Sequence, residues 1–308
     1  MQHAVDQTLT LPDARRFGFR IYGRPLGEAQ RRSGTSSRSA AVLAVHGTPG
    51  SRRKYAPVDA AAARRGLTLI SLDRWGYGLT DPHPDPSFSH WADDLAYIAD
   101  SLGLDRFAIC GISGGGPFAA AAAAELRERV TAVALVAPVG PLAGWAGTTN
   151  APRLDPMHTF SFRILPRSPL AVRFVFATYR GILRVSPHVG VALAMARNGW
   201  ADLRLLKERD VILELGDMMG DSLSRGATAA AVDLALFREP WDVSPETIQA
   251  PTRIWFGDQD RNVPSKALET LADAVPNAEL VRVDQQGHFW LSHRFDGVLD
   301  WLQHSVNH

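Results

Sequence analysis

The stretch that decides the fold is Phe107-Ala108-Ile109-Cys110-Gly111-Ile112-Ser113-Gly114-Gly115-Gly116-Pro117-Phe118, which runs on into six alanines at 119–124. Phe107–Cys110 is a short apolar run that suits a buried strand, and Pro117–Leu126 reads as a helix. Between them lies a GxSxG, Gly111 to Gly115. A serine in that position stands on a strained strand-to-helix turn, with its hydroxyl held out for chemistry. Glycines two residues before and two after let neighbouring backbone pack without a Cβ clash. The helix that follows aims its amide end toward negative charge developing at the serine.

A serine of ordinary pKa is a poor nucleophile. It needs a base, and the base needs a carboxylate to orient it. For this kind of turn the chain order is serine, acid, histidine. Downstream, Gly257-Asp258-Gln259-Asp260 follows an apolar run, Thr252–Phe256, and Gly287-His288 follows another, Glu279–Val283. Acid and base would thus lie on loops after consecutive strands, on the sheet edge that carries Ser113. The other histidines fit worse. His293 and His304 fall in the expected last helix, over about Leu291–Gln303, and His158 and His188 fall in a helical stretch. His83 and His90 fall in a proline-rich loop or at a helix start. Upstream, His46-Gly47-Thr48-Pro49-Gly50 ends the apolar run Ala41–Val45. A tight glycine-flanked turn there can point the Thr48 N–H into the site, beside the Gly114 N–H, so that the two amides form an oxyanion hole. His46 reads as the residue that fixes this turn.

Working outward, short strands near Thr8–Leu11 and Phe17–Tyr22 open the chain, and Glu28–Ser39 reads as a surface loop. Apolar runs then alternate with helical patterns. Tyr55–Arg65 reads as helical, Leu67–Leu72 as a strand, Trp91, Leu95, Ile98 and Leu102 as one helix face, and Val130–Ala137 as a strand. Runs apolar on both faces, alternating with helices, predict an α/β fold with a mostly parallel central sheet covered by helices. The rhythm stops from Gly140 to Trp241, where no strand pattern appears. The expected organisation is a core of residues 1–139 and 242–308, with 140–241 as a helical cap insertion.

Composition narrows the partners. The 308 residues carry 33 basic and 32 acidic side chains, so no strongly basic domain advertises nucleic acid. No segment approaches the eighteen or so consecutive apolar residues of a membrane span, and the first residues lack the apolar core of a signal peptide. One cysteine, Cys110, can form no internal disulfide and no Cys-rich zinc site. The expectation is a cytoplasmic protein that acts on a small molecule, with no cofactor and no metal. Its oligomeric state is not fixed by the sequence. Charge is uneven, with twelve basic residues and two acids from Arg15 to Arg65. Most of that run reads as solvated faces. Arg52, Arg53 and Lys54 follow the His46–Gly50 turn and are the stretch that could form a basic rim for an anionic substrate.

Five segments together carry a resemblance: HGTPGSR from His46, DRWGYG from Asp73, GISGGGPF from Gly111, GDQDRNVP from Gly257 and QGHF from Gln286. In order and spacing the chain resembles the α/β-hydrolase fold superfamily, in the group with an HGTPG turn and an SGGGP elbow. The resemblance implies Ser113 as nucleophile, Asp260 as acid, His288 as base, and Thr48 and Gly114 as oxyanion donors, with Asp73 structural. Relatives with aspartate at the elbow are set aside by Ser113. The proline iminopeptidase elbow carries Trp after the serine, where this chain has Gly114. The implied activity is ester hydrolysis on a small to medium apolar substrate. The same residues also serve amide, lactone or C–C bond hydrolysis, acyl transfer, or a lyase or cyclase step, and a ligand-binding protein on this fold is the non-enzymatic alternative. The cap should line the substrate pocket, with Trp145, Phe160, Phe176 and Met218 as candidates, and Phe289 beside the base.

Overall fold

Strands and helices alternate from Ala41 to Val136 because each apolar run is buried on both faces and needs a helix over each. The computed structural model describes residues 5–27, 41–148, 151–290 and 294–307, so the loop expected over 28–39 and His293 lie outside the described residues. The strands are β1 (Asp6–Thr10), β2 (Arg16–Gly23), β3 (Ala41–Val45), β4 (Thr68–Leu72), β5 (Phe107–Ile112), β6 (Val130–Val136), β7 (Thr252–Gly257) and β8 (Ala278–Val283). They form one sheet in the order β1-β2-β4-β3-β5-β6-β7-β8. β1 and β2 are antiparallel, and β3 to β8 run parallel. All six parallel strands therefore end on one edge, which is where turns after strands can converge.

Side chains alternate between the two faces of each strand. Leu43, Val45, Ile109 and Leu135 pack on one face, under helices α2 (Phe88–Ser101) and α3 (Gly116–Glu125). Val42, Ala44, Cys110 and Ala134 pack on the other, against α1 (Asp59–Arg64) and the C-terminal helix, Asp296–Asn307. The near-continuous alanine of α3 lets it sit close on the sheet, with every residue from Phe118 to Ala124 buried.

Three expectations shift. The segment expected as one helix over Tyr55–Arg65 is a 3₁₀ turn, Arg52–Val58, followed by α1. Pro57 inside that turn removes an N–H that a continuous α-helix would use. The last helix begins at Asp296 rather than Leu291. A helix at Ser265–Ala274, with Ala267, Leu268 and Leu271 in the core, was not foreseen.

Between β6 and β7 the described residues contain no strand, only isolated bridges such as Trp145 with Trp241. Four longer helices occupy the segment: α4 (Pro169–Val185), α5 (Pro187–Ala196), α6 (Arg209–Ser222) and α7 (Thr228–Arg238). Four of its prolines, Pro156, Pro166, Pro169 and Pro187, sit in the first turn of a helix rather than break one. Ser168 and Ser186 cap α4 and α5 by accepting from the amides of Ala171 and Val189, and a proline follows each cap at the first helical position. Leu183, Val191, Met195, Leu215 and Met219 give this segment a small core of its own.

Candidate active site

The turn after β5 puts Ser113 at φ +52°, in the left-handed region that non-glycine residues rarely enter. The sequence around it is what tolerates this. A Cβ on Gly111 would stand 2.6 Å from the Ala119 Cβ, and one on Gly114 would stand 2.2 Å from the Thr48 hydroxyl oxygen. No residue with a side chain fits either place.

His288 sits on the loop after β8. Its Nε2 lies 3.0 Å from the Ser113 Oγ, and its Nδ1 lies 2.7 Å from Asp260 Oδ2. The other Asp260 oxygen accepts from the amides of Asn262 and Val263, at 2.7 and 3.2 Å. Asp258, the rival on the same loop, faces away and accepts from the Gln286 amide and the Arg282 side chain. The structure thus brings Ser113, His288 and Asp260 into one hydrogen-bonded line. Burial pulls the His288 pKa down, but the Asp260 charge and hydrogen bond outweigh it and leave the imidazole above its ordinary 6.5.

Thr48 and Gly114 lie side by side, and neither backbone N–H donates a hydrogen bond to a described residue. For Gly114 this follows from its place in the first turn of a helix, where amides have no carbonyl of that helix to reach. His46 is fully buried. Its Nε2 accepts from the Arg74 amide at 3.0 Å, so its Nδ1–H donates to the Gly47 carbonyl at 2.8 Å. Burial holds this imidazole well below its usual range, so it stays neutral and pins the turn. Asp73 is also fully buried, and its carboxylate accepts from the Arg52 amide and side chain and from the Leu79 amide. Burial pushes it up to about 6 against the pull of Arg52.

Two cavities of about 310 and 200 Å³ share Thr48, Ser113, Phe176, Arg197 and Asn262 in their walls. The larger adds His288, Phe289, Tyr179, Met218 and Lys54; the smaller adds Gly114, Phe162 and Phe237. Phe176, Met218 and Phe289 therefore face the cavities. Trp145 does not. It is buried in the main core, where the backbone bridge to Trp241 closes the base of the helical segment. Phe160 does not either: it is 55% exposed. Two residues on, Phe162 sits on the other side of the helical turn and faces inward.

Residues 40–292 match the family model described as alpha/beta hydrolase fold. The chain belongs to the α/β-hydrolase fold family. Proline iminopeptidase from Lactobacillus delbrueckii subsp. lactis is 32% identical over 107 residues, which cover 33% of this chain and 34% of that protein. Its counterpart from Clostridium botulinum is 33% identical over 114 residues, 36% of this chain and 37% of that protein. The chain thus spans about a third of the length of the curated relatives it matches. Solved structures are similar over nearly the whole length. An enol-lactonase from Burkholderia xenovorans gives a TM-score of 0.67 at 18% identity, covering 98% of this chain and 100% of that one. A thermophilic esterase from Thermogutta terrifontis gives 0.65 at 20% identity, covering 99% of both. At these identities the solved structures share the fold of this chain.

Around Ser113 and His288 this member of the α/β-hydrolase fold family also places residues that its sequence did not single out, and two of them come from the helical segment. Asp202, in the short helix Trp200–Leu203, is fully buried and accepts the backbone N–H of both His288 and Phe289, at 2.9 and 3.0 Å. Asp233, on α7, accepts from the Thr48 hydroxyl at 2.6 Å, the Tyr77 hydroxyl at 2.7 Å and the Arg74 guanidinium at 2.5 Å. Arg74 in turn donates to the carbonyls of His46 and Gly47 and to the Thr48 hydroxyl. Arg74 was in view within the Asp73–Gly78 segment; nothing in the sequence pattern marks Asp202 or Asp233. Among the described residues no group of three or more His, Cys, Asp and Glu could hold a metal ion, and no helix is long and apolar enough to cross a membrane.

Proposed function

We propose that the chain is a serine hydrolase that cleaves an ester-type bond of a small to medium, mostly apolar substrate. The observation that carries this reading is the line Ser113 Oγ, His288 Nε2, His288 Nδ1, Asp260 Oδ2 at 3.0 and 2.7 Å, set in the wall of an apolar cavity. His288 takes the Ser113 proton as the oxygen attacks the carbonyl carbon. Asp260 fixes the tautomer and stabilises the imidazolium. The carbonyl oxygen, now an oxyanion, is held by the amides of Thr48 and Gly114. His288 then gives its proton to the leaving group, and the C–O bond breaks. Water, deprotonated by the same imidazole, releases the acyl group and restores Ser113. No step is routed through a metal or cofactor. The helical segment acts as a cap that shapes the pocket. The cytoplasm suits this reading, since the buried Cys110 needs no disulfide partner.

Amide hydrolysis at an N-terminal proline is the second reading, drawn from the names of the curated relatives. A proline nitrogen left free is a cation at neutral pH. It would need a carboxylate in the pocket, yet the described residues lining both cavities include no Asp or Glu and do include Lys54 and Arg197. The test is steady-state hydrolysis of nitrophenyl esters against proline anilide, with a chelator present throughout. The reading expects esters to be cleaved with a higher kcat/KM and no loss in the chelator. A preference for proline anilide, or activity lost and restored by a divalent ion, would overturn it.

A further inference from the structure

Three consecutive cations follow the oxyanion turn, and the structure treats them differently. Arg52 is buried, and its guanidinium is shared by Asp6, Asp73 and Asp221. Arg53 pairs with Asp217 and Asp221. Both are thus spent on ties between the sheet and α6. Lys54 is half-buried and lines the larger cavity with Ser113 and His288. Among the described residues its ammonium makes no hydrogen bond and no ion pair; Glu214 acts on it only at longer range.

Arg197, at the end of α5, lines both cavities. Among the described residues its guanidinium makes one hydrogen bond, from Nη2 to the Ser161 hydroxyl at 3.2 Å, and its buried Nε meets no partner. A guanidinium carries five N–H donors, so most of its capacity is unspent. These are two cations with free donors in a mostly apolar wall that has no acid among its described lining residues. Glu214 acts on Lys54, and Asp155 and Asp260 on Arg197, only through charge and without a hydrogen bond, which leaves both cations able to meet an incoming anion.

We infer that Lys54 and Arg197 form an anion subsite, and that the substrate is an ester whose apolar skeleton carries a carboxylate a few atoms from the scissile carbonyl. This rests on the ester-hydrolase reading and adds the substrate class. Burial holds the Lys54 pKa down to about 8, so it is still mostly charged at neutral pH, and a bound carboxylate would raise it. The carboxylate can belong to the acyl part or to the alcohol part of the ester, and the two are distinguished by the ligands below.

The test is calorimetric titration of full-length Ser113→Ala chain, which can bind but not turn over. One pair of ligands is monomethyl glutarate, with its carboxylate on the acyl side, against dimethyl glutarate. The other is the acetate ester of γ-hydroxybutyrate, with its carboxylate on the alcohol side, against its methyl ester. At least one carboxylate should bind about ten- to a hundredfold more tightly than its methyl ester, the scale of a charge-assisted hydrogen bond. Lys54→Met in the same background should erase that ratio, Lys54→Arg should keep part of it, and Arg197→Gln should lower it several-fold. No carboxylate preference in either pair, or one that survives Lys54→Met, would overturn the proposal, and so would binding too weak to measure. The two readings fail separately. Lys54-dependent carboxylate binding in a chain whose wild type cleaves no ester would sink ester hydrolysis and leave the anion subsite. Ester cleavage without Lys54-dependent binding would do the reverse.

Discussion

The site is built by two regions of different character. The sheet edge supplies Ser113, Asp260, His288 and the His46–Gly50 turn, each on a loop directly after a parallel strand. The helical segment supplies no member of that line, yet it holds two of these loops in place. Asp202 accepts the amides of His288 and Phe289, and Asp233 accepts the Thr48 hydroxyl within the His46–Gly50 turn. On the proposed mechanism the chemistry sits on one region, and its alignment depends partly on the other. The segment then supports the proposed reacting groups as well as walling the pocket.

The largest effects should come from the sheet edge. Ser113→Ala removes one oxygen from the turn, so its melting temperature should stay near wild type while kcat falls by about three orders of magnitude or more. Asp260→Asn should fall by a comparable amount, since an amide there can favour the wrong imidazole tautomer. Asp258→Asn should cost less than about tenfold, because Asp258 only ties the Gln286 amide and Arg282. The reverse ranking in purified, folded variants would move the acid to Asp258.

The next test presses on the helical segment. Asp202→Ala leaves two buried N–H groups without an acceptor, at about 1–3 kcal/mol each. It should lower the melting temperature and reduce kcat by about ten- to a hundredfold with KM little changed, and Asp202→Glu should recover part of the loss. Full activity in a destabilised Asp202→Ala would make the segment a passive cover. Smaller again, Phe176→Ala should shift kcat/KM between short and bulky esters by about tenfold or more. Trp145→Phe, away from both cavities, should leave that ratio alone.

The smallest effect concerns pH. The His288 pKa lies above 6.5, so kcat/KM should rise with pH through a value above 6.5 as the imidazole loses its proton and becomes able to accept one. Lys54 lowers that pKa by repelling the imidazolium. Removing its charge in Lys54→Met should therefore move the rise to higher pH, read with an uncharged ester. A move to lower pH would mean that Lys54 acts on His288 through structure rather than charge.

The same contrast explains what the sequence could tell. GxSxG after an apolar run and before an alanine-rich helix has few geometries open to it, because a Cβ at 111 or 115 would run into neighbouring backbone. Strand-end loops inherit their place from the sheet, so His288 follows once β8 is set. Helix-borne contacts carry no such constraint. Phe176 and Phe160 are equally apolar in sequence, and only the way the segment packs turns one to the cavity and the other to solvent. Asp202 and Asp233 look like ordinary helix-surface acids until the helices dock on the sheet edge. Lys54 was in view as part of a basic run, but its separation from Arg52 and Arg53 needed the positions of Asp6, Asp217 and Asp221.

The central claim is that the Ser113 oxygen is the nucleophile, activated through His288. Labelling with a fluorophosphonate, followed by digestion and mass spectrometry of the peptide around Gly111–Gly115, tests it most directly. One covalent adduct per chain, on Ser113, is expected, formed at a rate that rises with pH as His288 deprotonates and falls by orders of magnitude in His288→Ala. An adduct on another residue, or labelling of Ser113 at an unchanged rate without His288, would contradict it.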